Sequence, residues 1–329
     1  MTRSLVVHAA GAYSLATSDP PEPGPGEVVV DVVAAGICGS DRELLEGTRP
    51  APFVQYPIVP GHEWSGVVAA AAPDVDAGLV GRPVVGEGFR NCQICDRCRA
   101  GETTLCTAGY DETGFTRPGA FADSLLLPAR LLHLLPADAD LRAAALLEPA
   151  AVAAAAVLSA RVEPGERVAV VGAGTLGALC LQLLRLRSPA ELAATDPRSS
   201  RATMALACGA TRAETGPLPA AGYDVVVETA GAAGSAAAAV ELARRGGRVV
   251  LTGIPGTATG IAPAAIVGGA LTITSVFGAP SAAWTHAVRL FATGLLDLRP
   301  LVSHEVGLTD FAQAVALLHD DVGKVLICP

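Results

Sequence analysis

The run Val168-Ala169-Val170-Val171-Gly172-Ala173-Gly174-Thr175-Leu176-Gly177 decides how this chain folds. Apolar, largely β-branched residues lead straight into Gly-x-Gly-x-x-Gly. Leu176, Leu179, Leu183 and Leu186 then recur at helical spacing until Pro189. This is the strand, tight turn and helix of a dinucleotide site. Gly172 permits the sharp turn, Gly174 lets backbone approach a pyrophosphate, and Gly177 lets the helix pack close to the strand. Backbone N–H groups left unpaired at the helix start, at Thr175 and Leu176, face the phosphates together with the positive end of the helix dipole. A second strand over 191–195 ends on Asp196, nineteen residues past Gly177. An acid there accepts both ribose hydroxyls of NAD and repels the 2′-phosphate of NADP.

Strands over 224–228, 248–252 and 271–277, with a helix over 236–244, continue the alternation, which predicts an α/β, doubly wound parallel sheet. The carboxyl ends of such strands line a cofactor crevice. Thr229, Gly253 and Phe277 stand at those ends as candidate cofactor contacts. The last fifty residues carry helical patterns over 281–293 and 310–319 and a closing strand over 324–328, which needs the first domain's sheet to join.

At 329 residues the chain has room for about two domains. It is 51% apolar, yet no run of 18 residues lacks polar interruption, and its first thirty residues lack the basic start and apolar core of a secretory leader. The expectation is a soluble cytoplasmic protein without a membrane partner. The net charge is −9 and no basic cluster exceeds two residues, which excludes a nucleic-acid partner.

Upstream, strand and turn signals dominate. A strand over 28–34 delivers Gly36-Ile37-Cys38-Gly39-Ser40-Asp41. A second small-residue turn, Pro60-Gly61-His62-Glu63-Trp64-Ser65-Gly66, precedes a strand over 67–70. Cys38, His62 and Glu63 are candidate zinc ligands at strand ends or turns, where side chains can converge. Next comes Cys92-x2-Cys95-x2-Cys98-x7-Cys106, four of the chain's eight cysteines within fifteen residues. Four thiolates complete a tetrahedron with no open position, which suits a structural metal and not a redox pair. A strand over 121–127 and a helix over 141–160 follow. Glu148, before Pro149, is either a helix N-terminal acid or a further metal ligand.

With these motifs in place the chain resembles, end to end, the zinc-dependent medium-chain dehydrogenase/reductases, the alcohol and polyol dehydrogenase superfamily. The resemblance implies a GroES-like, β-rich catalytic domain over 1–149 and 281–329, with a structural zinc lobe at 90–108. A Rossmann domain is inserted over 150–280, with the active site in the cleft between them. It implies two Zn²⁺ per chain, the catalytic one on Cys38 and His62 and the structural one on Cys92, Cys95, Cys98 and Cys106. Glu63 matches a residue that ligates zinc in polyol-type members or sits just outside it in others. Glu148 matches the Glu-Pro of the sorbitol, threonine and glucose dehydrogenase branches. Asp196 followed five positions on by Arg201 resembles the NAD-type pattern, while Arg198 could accommodate a 2′-phosphate, so NADP is not excluded. The implied partners are a small-molecule alcohol or ketone and further copies of the chain, as a homodimer or homotetramer paired through the 271–277 edge strand.

The implied reaction interconverts a secondary alcohol and a ketone by hydride transfer to nicotinamide C4, with Ser40 taking the alcohol proton. Asp41 either orients a ligand near the metal or is a helix N-terminal acid. Where many members carry a relay His, this chain has Arg42-Glu43. Asp41-Arg42-Glu43 resembles the glucose dehydrogenase branch and the 61–66 turn the aminocyclitol dehydrogenases, so a polyhydroxylated substrate is expected. Phe53, Trp64, Phe89 and Phe277 are pocket walls or simply core. The rival readings are a zinc-free quinone or enoyl reductase, which would lack the Cys38, His62 and four-cysteine set, and an NAD- or zinc-binding protein without turnover. A dehydrogenase of simple alcohols or hydroxy-amino acids is the enzymatic alternative.

Overall fold

Glu27–Ile37, with the sequence EVVVDVVAAGI, is buried along most of its length, as a β-branched run predicts for a strand covered on both faces. In the computed structural model, which describes residues 1–257, 260–318 and 321–329, this strand organises the first of two units, Met1–Glu148 with Pro280–Pro329. Its seven-stranded sheet runs Val302–Gly307, Lys324–Cys328, Glu27–Ile37, Glu63–Ala71, Pro83–Gly86, Leu132–Leu134, and Ser124–Pro128 also pairs with Glu27–Ile37. The first pair is parallel and the others are antiparallel. Register places the chemistry. Gly36 lies opposite Glu63, and Ile37 opposite Val325. The end of one central strand therefore brings Cys38 beside His62 and Glu63 on one side and Lys324 on the other. Leu5, Val30, Phe115, Phe121 and Phe311 fill the core beneath, together with Trp64, which is therefore packing and not a pocket wall.

The second unit, Pro149–Ala279, holds a six-stranded parallel sheet. Its order is Arg212–Glu214, Glu191–Thr195, Arg167–Val171, Tyr223–Glu228, Ala243–Leu251, Thr272–Ser275. Read by sequence this is 3-2-1-4-5-6, the doubly wound order, with its switch point beside the strand that leads into the glycine turn.

Several expected boundaries move, each for a local reason. The helix expected over 141–160 divides into Leu141–Ala144 and Leu147–Ala160. Pro149 has no N–H for the carbonyl of residue 145 and its ring would strike that carbonyl, so the helix restarts with proline in its first turn. The strand expected from 121 begins at Ser124, because Ala120 and Phe121 donate their N–H groups to Gly61 and Pro60 and hold the histidine turn instead. The 271–277 strand is only Thr272–Ser275, and the 310–319 helix is Phe311–Leu317, with His319 outside the described residues. Val302–Gly307, a mixed polar run, forms a strand that periodicity does not announce.

Gly66 pairs with Val32 at a bulge, where a Cβ would stand 2.3 Å from the Asp31 carbonyl oxygen and 2.6 Å from Val30 Cγ1. Gly66→Ala is therefore expected to lower unfolding stability by about 1–3 kcal/mol, measured by urea denaturation. An unchanged midpoint would show that the bulge relaxes freely.

Candidate active site and cofactor turn

Cys38 is the N-cap of the helix Gly39–Glu46, in extended backbone. Its N–H donates to Asp41 Oδ2 at 3.0 Å, which ties the turn to the helix start. Its Sγ lies 2.8 Å from Ser40 Oγ and 3.3 Å from His62 Nε2. His62 Nδ1 stands 3.6 Å from the other oxygen of the fully buried Asp41. Asp41 thus caps the helix through Oδ2, while its Oδ1 and His62 Nδ1 face each other without a hydrogen bond.

Glu63 is buried beside them. Lys324 Nζ, also buried, donates to its Oε1 at 2.7 Å, while Oε2 has no partner. His62, Glu63 and Glu148 offer ligand atoms within 4.8 Å of one another, and so do Cys38, Asp41 and His62. The candidate ligands thus converge in two groups that share His62.

The electrostatics state what the site requires. Burial alone would lower the His62 pKa, but the charges of Cys38 and Asp41 hold it well above its ordinary value. Burial, reinforced by Glu63 and Glu112 against His62 and Lys324, pushes Glu148 up to about 8. Lys324 is likewise drained by burial and raised overall by Glu63 and Cys38. A thiol, an imidazole and carboxylates, one with an orphaned buried oxygen, make up a donor set that suits zinc.

The four clustered cysteines also converge, with all four sulfurs within 4.8 Å and Cys92 Sγ 4.0 Å from Cys98 Sγ. Backbone N–H groups of Cys92, Cys95 and Cys98 point at the Cys106, Cys92 and Cys95 sulfurs respectively. Donation from Cys98 and Thr107 lowers the Cys95 thiol to about 5, while burial pushes Cys98 up to about 12. Four thiolates at this separation need a cation among them.

In the second unit Gly172 has φ +90° and a Cβ there would meet Ala230 at 2.7 Å. A Cβ on Gly177 would lie 2.0 Å from the Gly172 carbonyl oxygen. Gly174 caps the helix Thr175–Arg185, leaving Thr175 and Leu176 partly exposed at its start. Asp196 Oδ2 accepts the Ala173 N–H at 3.0 Å and Oδ1 that of Arg198, also at 3.0 Å. Arg201 Nη1 lies 3.9 Å from Asp196 Oδ2 and beside Gly174. Thr229 Oγ1 donates to the Gly172 carbonyl at 2.7 Å, so this hydroxyl braces the turn. Phe277 is 44% exposed, just past the edge strand.

Sequence reading missed three polar groups. Lys324 opens a strand and reads as a surface cation until its pairing is seen. Glu228, buried at the end of Tyr223–Glu228, accepts N–H groups from Ala230 (2.8 Å), Gly231 (2.9 Å) and Gly253 (3.2 Å). One carboxylate therefore joins the two loops that carry Thr229 and Gly253. Glu112 is the third: Tyr110 donates to its Oε2, and Arg49 Nη2 lies 3.8 Å away.

Residues 24–137 match the family model described as alcohol dehydrogenase GroES-like domain, and residues 175–293 match that described as zinc-binding dehydrogenase. The chain is 34% identical to the L-threonine 3-dehydrogenase of Deinococcus deserti, covering 97% of this chain and 96% of that protein. It is 33% identical to the 2-dehydro-3-deoxy-L-galactonate 5-dehydrogenase of Pseudoalteromonas atlantica over 89% of this chain and 88% of the other. Among solved structures, a putative zinc-binding dehydrogenase from Sinorhizobium meliloti 1021 bound to NADP superimposes with a TM-score of 0.92 at 30% identity, covering 100% of this chain and 99% of that one.

Gln at position 228 could keep its oxygen on one loop only, with its NH₂ facing an N–H of the other. Glu228→Gln should lower cofactor-free stability by about 1–3 kcal/mol, read by thermal denaturation. No change would mean the loops hold without it.

Proposed function

The chain belongs to the zinc-dependent medium-chain dehydrogenase/reductase superfamily, and on that premise we propose that it oxidises a polyhydroxylated secondary alcohol to a ketone with NAD. Zinc- and nicotinamide-dependent alcohol dehydrogenase chemistry comes with the family. The substrate class, the preference for NAD and the residue roles are our reading. The observation that supports it is the convergence of ligand atoms in two groups that share His62, Cys38 with Asp41 and Glu63 with Glu148, beside the buried and unpartnered Glu63 Oε2.

In this reading Cys38, His62 and Glu148 hold the catalytic zinc. Glu63, with one oxygen held by Lys324, has only Oε2 left to offer. Asp41, 3.6 Å from His62 Nδ1, would steady the imidazole and leave Nε2 for the zinc. When bound, zinc supplies a Lewis acid that acidifies the alcohol, and NAD accepts the hydride. Ser40 Oγ, 2.8 Å from the Cys38 sulfur, is placed to take the hydroxyl proton as the carbinol carbon gives up hydride. Ala173 and Arg198 fix Asp196 with its carboxylate at the end of the second strand, where it favours ribose hydroxyls over a 2′-phosphate. The four-cysteine lobe holds the structural zinc.

Thr272–Ser275 ends its sheet as an edge strand, which supports pairing of two copies along it. No helix among the described residues is long and apolar enough to cross a membrane. All eight cysteines are free thiols, which fits a cytoplasmic, reducing compartment.

Zinc analysis should give two equivalents per chain in the wild type and about one in both Cys38→Ser and Cys98→Ser. Only the first variant should abolish NAD reduction in a chain that still folds. Ser40→Ala should reduce kcat by about 10²-fold or more and alter its pH profile. A Ser40→Ala enzyme at wild-type rate would remove the serine from the proton path. Asp196→Ser should shift the NAD/NADP ratio of kcat/KM toward NADP by about tenfold or more, whereas an unshifted ratio would place selectivity elsewhere.

A further inference from the structure

Next to the metal-ligand cluster lies a buried carboxylate that the chemistry above does not use. The 111–117 turn presents Glu112 while packed directly on the histidine turn: a Cβ on Gly114 would stand 2.9 Å from the Gly61 carbonyl carbon and 3.1 Å from the His62 nitrogen. Phe115 of the same turn lies against the His62 ring, with centroids 4.8 Å apart. Glu112 is only 6% exposed, and its charge reaches His62, Asp41 and Glu148.

Its two oxygens differ. Oε2 accepts from Tyr110 and lies 3.8 Å from Arg49 Nη2. Oε1 accepts no hydrogen bond from the described residues yet is not among the fully enclosed unpartnered oxygens, so solvent reaches it, and Gly88 lies alongside, where a Cβ would crowd it at 3.3 Å. Arg49 cannot turn to it, because that guanidinium is already engaged. Nε donates to the Phe53 carbonyl at 2.8 Å, Nη2 to Tyr110 at 3.0 Å, Nη1 lies 3.7 Å from Glu43, and the group stacks 3.7 Å over Phe115. A carboxylate oxygen that only water satisfies can exchange that water for a donor brought by a ligand.

We propose that Glu112 Oε1 receives a second donor group of the substrate, a hydroxyl or amine a few bonds from the carbinol, and so selects substituted alcohols over plain ones. This rests on the dehydrogenase reading and adds a specificity-determining residue to it. Tyr110 and Arg49 are positioning residues: they hold Oε2 and leave Oε1 turned to Gly88. A carboxylate or phosphate in that place is rejected, since it would face Glu112, and the neighbouring Arg49 among the described residues is already engaged.

The test is calorimetric binding to the zinc-loaded full-length protein of three probes: cis-1,2-cyclohexanediol, trans-2-aminocyclohexanol and cyclohexanol. NAD reduction is followed with the same probes. Wild type should bind the diol or the amino alcohol about tenfold or more tighter than cyclohexanol. Glu112→Leu should bring the ratio close to one by weakening the two substituted probes. Gly88→Ala, which keeps the carboxylate but crowds Oε1, should weaken the same two, and it decides the matter if Glu112→Leu fails to fold. A loss confined to the amino alcohol identifies the donor as a cation, and a loss of both identifies a neutral hydrogen bond. A wild type that binds none of the probes or does not discriminate among them, or variants that weaken all three equally, would overturn the proposal and leave Glu112 a brace of its turn. Discrimination in binding without NAD reduction would instead uphold Glu112 and refute the dehydrogenase reading.

Discussion

The structure depends on buried negative charge gathered at the end of one strand pair. Cys38, Asp41, Glu63 and Glu148 surround His62, and Lys324 is drawn in beside Glu63. Removing such charges from water costs several kcal/mol per ion unless something nearby compensates. Lys324 pairs with one oxygen of Glu63, the other has no partner, and the same crowding of acidic groups favours the protonated forms of His62 and Glu148. A divalent cation bound by thiolate, imidazole and carboxylate compensates these charges in a single step.

The sheet exists in the form it does because that cluster must be assembled from distant sequence. Register between Glu27–Ile37 and its two neighbours sets Gly36 opposite Glu63 and Ile37 opposite Val325, so that Cys38, Glu63 and Lys324 meet at the strand ends. Small residues make the approach possible. Gly36 leaves room for Glu63 Oε2, which would otherwise meet a Cβ at 2.1 Å. In the second unit the same logic runs through backbone: Gly172 and Gly177 allow the turn to close, while Asp196, Thr229 and Glu228 fix it through main-chain contacts.

Features that are local in sequence were legible there. The glycine turn, its flanking strand and helix, and the four-cysteine spacing each lie within about twenty residues, and periodicity or spacing exposes them. Cys38 and His62 were legible because each sits in a glycine-flanked turn at a strand end. Lys324 was not, since its partner is 261 positions away and a lone lysine at a strand start resembles any solvated one. Glu112 and Glu228 were hidden for the same reason: their surroundings are made of other segments' backbone, which no side-chain pattern records. Pro149 signals an interruption of the 141–160 helix, but an alanine-rich run carries too weak a period to place the break at 145–146. Trp64 could be read as pocket wall or core, and its indole fills the space over Gly86 in the core.

The central claim is best tested by anomalous diffraction at the zinc edge from crystals of the wild-type protein. The account predicts two peaks per chain. One should lie among Cys92, Cys95, Cys98 and Cys106 with four sulfur ligands, and the other within bonding distance of Cys38 Sγ, His62 Nε2 and a carboxylate oxygen. A peak at the four cysteines alone, with Cys38 and His62 holding no metal after zinc loading, would contradict it.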